Sequence, residues 1–310
     1  MIALREDEVE QRLGDLDLVE LMRATLCAAA NGEGGGPVRA ALTTPGGVWF
    51  AAMPAWSGAD SCALGAKLVV AVPRNAARGL PTHRAVVVLL DAETGEPSAW
   101  IEAEALTRAR TAAVSVLATQ ALARNARGAH AILGAGAQGG AHLEAFARAG
   151  LMERLAVWSR DRAHAVALVE LARARGVDAR VAPDADAAVR EANVITTCTT
   201  SAEPLFDAAS VARGAHVNAV GACVAHKREL PGRLVGDASL VVDDLAAARV
   251  EAGDVLLAIA ESAATWDGVV SLGEIVAGRA TPREGRVSLF VSLGLGVEDV
   301  AAAAALLRAG

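Results

Sequence analysis

A chain of 310 residues, 53% hydrophobic and 21% charged, carries enough apolar material for two domains with their own cores and is too hydrophobic to be disordered. A net charge of −7 argues against nucleic acid or an anionic membrane as the main partner, and no apolar run reaches the length of a membrane span. The four cysteines (Cys27, Cys62, Cys198, Cys223) are far apart and lack CxxC spacing, which speaks against a zinc site or a disulfide framework. Acids stand near the N-terminus where a signal peptide would carry an apolar core, so the expected setting is cytoplasmic, with no metal.

In chain order, residues 6–31 read as helical, with Leu13, Leu16, Leu18, Leu21 and Met22 on one side. Residues 32–36, nearly all glycine, end that region. Residues 38–103 read as an antiparallel meander, with strands expected over 38–42, 48–53, 64–72, 85–90 and 98–103 and turns at Gly46-Gly47 and Glu93-Thr94-Gly95. Thr107 is the expected N-cap of an Ala/Leu-rich helix running to about Ala123, and residues 125–128 form a short link.

From His130 the texture changes to short apolar strands alternating with helices, expected over 130–133, 155–158, 179–181, 194–198, 216–220 and 240–242, with a last strand over 287–291 and a terminal helix near 297–308. That alternation predicts an α/β, doubly wound, mostly parallel sheet whose ligand site lies at the carboxyl ends of its strands. The sharpest motif opens this region. Gly134-x-Gly136-x-x-Gly139 follows an apolar strand and begins a helix. Gly134 permits the turn, Gly136 lets backbone approach a pyrophosphate, and Gly139 lets helix and strand pack closely. Ala137 and Gln138 at the helix start, with Thr197 and Val220 at neighbouring strand ends, complete the expected dinucleotide site, a Rossmann-type arrangement.

The end of the second strand selects the nicotinamide. An acid there accepts from a ribose 2′-hydroxyl, whereas arginine suits a 2′-phosphate. Ser159 holds the usual acidic position and Arg160 follows, with Arg162 as a second cation. The expected cofactor is NADPH, and Asp161 leaves NAD open. Lys67 and Lys227 are the only lysines among 29 basic residues, a bias that base composition explains and that also points at positions where arginine cannot substitute.

Further segments occur in one order: Thr107-Arg108-Ala109-Arg110-Thr111-Ala112-Ala113, the glycine loop, Val217-Asn218-Ala219-Val220-Gly221-Ala222, Lys227-Arg228-Glu229-Leu230, Glu251-Ala252-Gly253-Asp254, Leu272-Gly273-Glu274, and Leu289-Phe290-Val291-Ser292-Leu293-Gly294-Leu295 before Glu298-Asp299. Together they resemble the ornithine cyclodeaminase/mu-crystallin family over nearly the whole chain. The resemblance implies a substrate-binding and dimerisation α+β domain (residues 1–123 plus 292–310) with a Rossmann NAD(P) domain (124–291) inserted, and a homodimer formed through the meander sheets. It also implies that Arg39, Lys67 and Arg110 hold the carboxylate of a small imino- or amino-acid substrate. Read alone, Arg39 is a strand-edge residue and Arg110 a helix-surface residue; Lys67, between Leu64 and Leu68-Val69-Val70, is harder to leave unpaired.

The pattern breaks at Cys223, where the cyclodeaminases of the family carry a catalytic aspartate, and also at Val291 and at Val224-Ala225-His226. A thiol is a poor proton shuttle near neutrality unless its pKa is lowered. The mu-crystallin-like branch also lacks that acid and resembles NADPH-dependent reductases of cyclic ketimines, in which Lys67 and Cys223 would face the reacting imine. The expected function is therefore reduction of a cyclic ketimine carboxylate such as Δ1-pyrroline-2-carboxylate. The alternatives are ornithine cyclodeaminase, an alanine-dehydrogenase-like activity, or a non-catalytic NADPH-binding protein.

Overall fold

Alternating residues along the first strands divide between a buried and a half-exposed face, and this builds one sheet around Lys67. The structure, a computed structural model, describes residues 1–58 and 62–309. It forms two compact units, Met1–Thr111 with Gly294–Gly310, and Ala112–Leu293.

In the first unit the strands lie in the spatial order Ile2–Leu4, Pro97–Glu102, His83–Leu90, Ala63–Ala71, Trp49–Ser57 and Gly34–Gly35, and Ala40–Thr43 also pairs with Trp49–Ser57. One face carries buried Met53, Ala55, Lys67, Val87, Leu89 and Ile101. The terminal helix Gly296–Arg308 packs on it. On the opposite face Leu64, Leu68, Val86, Val88 and Leu90 are half-exposed and Trp56 is exposed.

Two expectations for this unit are corrected and one holds. Residues 6–31 form two helices, Glu6–Leu13 and Leu18–Ala30, because the chain turns at Gly14 and Asp17 caps the second helix by accepting from the Glu20 N–H at 3.1 Å. The meander expected over 38–103 is antiparallel throughout, and Ile2–Leu4, outside that span, adds to Pro97–Glu102 in parallel. Thr107 is not an N-cap, since its helix starts at Glu104 and runs to Leu122. The cap comes from another segment, where Glu6 Oε1 accepts the Ala105 N–H at 2.6 Å.

The second unit is an eight-stranded, wholly parallel sheet in the order Asp178–Val181, Met152–Trp158, Gly128–Leu133, Val194–Thr197, His216–Ala219, Val287–Val291, Ala238–Val242 and Val270–Ser271. Its central strands are buried nearly throughout, as a sheet covered on both faces requires. The α/β, Rossmann-type reading holds. Strand order reverses between Gly128–Leu133 and Val194–Thr197, so the switch point lies where the glycine loop leaves the sheet. The two-residue edge strand Val270–Ser271 was beyond any periodicity.

Candidate active site

In the first unit a lysine on the buried sheet face meets the start of the terminal helix. Lys67 lies opposite Met53 and Val87 in the ladder and is 3% exposed. An ammonium so placed costs free energy unless paired. Asp299 supplies the pair, with Lys67 Nζ 2.7 Å from Asp299 Oδ2. Arg110 reaches the same acid, Nε to Oδ1 at 2.9 Å, and donates through Nη1 to Glu298 Oε2 at 2.8 Å. All four side chains are buried. Arg110 is therefore not the helix-surface residue that its sequence context suggests.

Arg39 joins from the half-buried edge by donating to the carbonyl of Gly294 at 3.3 Å. Gly294 has φ +79°, and a Cβ added there would stand 2.7 Å from both terminal nitrogens of Arg110. Only glycine lets this turn lie between the two guanidinium groups.

Burial pushes the Lys67 ammonium down to about 8; the Asp299 charge opposes this, while Arg110 and Arg39 reinforce it. Burial raises Asp299, but Arg110 and Lys67 outweigh it and hold that carboxyl below its usual value. Glu298 moves the other way, raised by burial against the pull of Arg110. Its Oε1 is buried without a hydrogen-bond partner, as suits a carboxyl tending to neutrality. Three cations, Arg39, Lys67 and Arg110, thus gather beside Asp299, Glu298 and the turn at Gly294.

In the second unit the glycine loop has the geometry its spacing predicts. Gly134 has φ +106°, donates its N–H to Trp158 O at 2.9 Å, and a Cβ there would meet Cys198 O at 2.6 Å. At Gly139 a Cβ would lie 2.2 Å from Gly134 O, so helix and strand pack too closely for any side chain. Gly136 is exposed, with nothing within 4 Å of a built Cβ. It begins the helix Ala137–Arg148, which has no side-chain cap. An uncapped helix end beside open space fits the pyrophosphate of a dinucleotide. Exposed Ala137 and half-buried Gln138 stand at this end, and Gln138 Oε1 lacks a partner.

Ser159 is half-buried, directly after the strand end that receives Gly134. Arg160 and Arg162 are exposed and form no ion pair with a described residue. Asp161 caps the next helix by accepting the Ala163 N–H at 2.9 Å. Thr197 and Val220 are buried at adjoining strand ends, where the Val220 N–H donates to Thr197 O at 2.8 Å. The Cys223 thiol donates to Val220 O at 3.1 Å. A donor turned onto a carbonyl cannot act as the carboxylate base it replaces.

The residues missed are Glu298, Asp299 and Gly294. The acid pair stands in a helix's first turn, where acids are favourable in any case, and its partners Arg110 and Lys67 lie 188 to 232 residues away.

The model of the ornithine cyclodeaminase/mu-crystallin family matches residues 1–308. The chain is 36% identical over 305 residues to ketimine reductase mu-crystallin of Rattus norvegicus, covering 97% of this chain and 94% of the relative. It is 35% identical over 243 residues to Delta(1)-pyrroline-2-carboxylate reductase of Bacillus cereus, covering 77% and 74%. The Thermococcus litoralis Delta(1)-pyrroline-2-carboxylate reductase, solved with NADH and L-proline, superposes with a TM-score of 0.94 at 28% identity over 100% of this chain and 97% of that one. This chain belongs to the ornithine cyclodeaminase/mu-crystallin family.

Proposed function

We propose that the protein is an NAD(P)H-dependent ketimine reductase that converts a cyclic imine carboxylate, such as Δ1-pyrroline-2-carboxylate, into the corresponding cyclic amino acid. The observation that carries the reading is the convergence of Arg39, Lys67 and Arg110 on the acid pair Asp299 and Glu298 and on the turn at Gly294. It suits a small organic acid. The reductases among its relatives support the same choice.

A bound reduced nicotinamide supplies the hydride that the imine carbon accepts. The chain's own residues do the rest. The uncapped helix start at Ala137 and the backbone at Gly136 bind the pyrophosphate. Arg160, with Ser159 and Arg162, binds a 2′-phosphate, so NADPH is the preferred form. Arg39, Lys67 and Arg110 hold the substrate carboxylate and fix the ring's orientation. Lys67, with a proton that leaves near pH 8, passes that proton to the imine nitrogen as the carbon accepts hydride, and is left as the neutral amine.

Cys223 favours this reading over cyclodeamination. That reaction moves several protons and needs a base where this chain holds a thiol bonded to Val220 O. The half-exposed apolar sheet face of Leu64, Leu68, Val86, Val88 and Leu90, with exposed Trp56, supports a homodimer through that face. All four cysteines are free, which suits the reducing cytoplasm where reduced nicotinamide is available.

The test is a panel of five- and six-membered cyclic imine carboxylates with NADPH and NADH, followed by loss of reduced-nicotinamide absorbance. Oxidation of NADPH with formation of proline or its six-membered homologue is expected. Ammonia release from ornithine with no net change in cofactor would overturn the assignment in favour of cyclodeamination.

A further inference from the structure

Beneath the strand ends of the second unit lies a buried acid that the proposed chemistry does not use. Glu229 is fully buried, and no described lysine or arginine forms an ion pair with it. Three donors converge on its carboxylate. Oε1 accepts the Thr199 N–H at 2.6 Å, and Oε2 accepts the Gly221 N–H and the Thr197 hydroxyl, each at 2.8 Å. A backbone N–H points at each oxygen, and the Thr197 hydroxyl joins one of them, so both oxygens must accept. A glutamine would turn an amide N–H₂ towards one of those N–H groups.

The two loops so joined leave neighbouring parallel strands, Val194–Thr197 and His216–Ala219, at their carboxyl ends. The first loop also touches the phosphate-binding turn, since a Cβ on Gly134 would lie 2.6 Å from Cys198 O and 3.0 Å from Thr199 Cγ2. The Cys198 N–H donates to Leu133 O at 2.9 Å, tying that loop to the strand carrying Gly134. The second loop is pressed against the first: a Cβ on Gly221 would stand 2.3 Å from Thr199 O and 2.6 Å from Glu229 Cδ. Glutamate occupies the space that a side chain at 221 would need.

Glu229 is itself held from behind. Asp254 Oδ1 accepts the N–H groups of Glu229 and Leu230, both at 2.8 Å. The Glu229 carbonyl accepts the Leu205 N–H at 2.8 Å. A carboxylate buried without a cation is costly, and here it is kept where it fixes the spacing of two loops at the switch point.

We propose that Glu229 is a positioning residue for the dinucleotide. It holds the backbone of Thr199 and Gly221 at the separation that receives the cofactor, with Asp254 as its support. This rests on the reductase reading for the identity of the ligand. Glu229 touches neither substrate nor reacting atoms; it acts through the two loops. Its effect therefore falls on cofactor affinity and not on recognition of the organic acid.

The experiment is titration of the cofactor-free protein with NADPH and NADH, followed by quenching of tryptophan emission, for wild type and Glu229→Gln. The variant is expected to raise the dissociation constant roughly tenfold or more, with the KM for imine at saturating cofactor changed by less than about twofold. A folded Glu229→Gln protein that binds as wild type does overturns the positioning role and leaves the reductase reading standing. A wild type that binds neither dinucleotide removes the reading itself. Hydrogen exchange on the wild type supplies a second measurement that needs no variant. The Thr199 and Gly221 amides are expected to be protected before cofactor is added and to slow further with it. Exchange there that ignores saturating cofactor overturns the proposal.

Discussion

Lys67 Nζ lies 2.7 Å from Asp299 Oδ2, with both side chains out of solvent and 232 residues apart in the chain. The pair joins a sheet strand to the first turn of the terminal helix, and Arg110 shares the same carboxylate. Removing one member of such a cluster leaves a buried charge unmatched, which is costlier than never having built the pair.

Asp299 keeps Lys67 charged against its burial. The lysine titrates near 8, so its charge is complete well below that pH and is lost above it. Substrate KM is therefore expected to be flat on the acid side of 8 and to rise on the alkaline side. Asp299→Asn removes the opposing charge and moves this alkaline limb to lower pH. At neutral pH, kcat/KM is expected to fall by about 10²-fold, with a stability loss of about 3–5 kcal/mol. The sign for stability runs the other way from that for binding. A depressed lysine pKa favours the fold above the unfolded value of 10.5, and that contribution fades as pH drops through about 8. Steady-state kinetics of the imine between pH 6 and 10, on both proteins, reads the limb directly.

Gly294 makes a separable prediction. Its positive φ and its contact with the Arg110 guanidinium leave no room for a methyl group. Gly294→Ala is expected to displace Arg110 and with it the Arg39 contact, raising substrate KM roughly tenfold. Cofactor affinity should not change, because the glycine loop belongs to the other compact unit. An alanine variant with wild-type KM would show that the two arginines do not set acid binding.

Most of the fold was legible because its signals are local. The strand–glycine–helix pattern at 128–148 needs only neighbouring residues, and the parallel sheet follows from the alternation after His130. Lys67 could be singled out because a lone lysine inside a branched apolar strand is expensive. What was not legible is non-local. Thr107 looked like a cap until Glu6, 99 residues from the Ala105 amide, took that role. Asp299 entered only at the end of the family's ordered segments, and Glu229 as part of a short motif without a task. Each acquires its role from partners that only the folded topology brings near.

Three buried histidines give the second unit an acid limit. His142 joins Gln138 O at 2.8 Å to Ser115 Oγ at 2.9 Å, His216 lies between Ser288 and Asn218, and His130 packs on Phe146. Burial lowers each to about 4, so each is neutral when folded. Unfolded imidazoles take up protons below 6.5, and the stabilisation present above that pH is lost as pH falls towards 4. At pH 5 each histidine accounts for about 2 kcal/mol of lost stability. Urea unfolding at pH 7 and pH 5 should show a drop of several kcal/mol, and His142→Gln should reduce the pH slope by about one proton. Equal midpoints at the two pH values would mean that these rings are not buried in neutral form.

On the proposed reading, Arg160 selects which nicotinamide is used. It follows Ser159 at the end of the strand whose Trp158 carbonyl receives the Gly134 N–H, so it stands beside the glycine turn, exposed and without an ion pair among the described residues. A guanidinium there pairs with a 2′-phosphate but has nothing to grip on a bare ribose. Arg160→Ala is expected to raise the KM for NADPH roughly tenfold while changing that for NADH by less than about twofold. Ser159→Asp in addition should invert the preference, because a carboxylate repels the phosphate and accepts from the ribose hydroxyls. Raising ionic strength should weaken NADPH more than NADH in the wild type and equally in the alanine variant. Equal salt dependence in the wild type would assign the choice to Asp161 and make NADH the working cofactor.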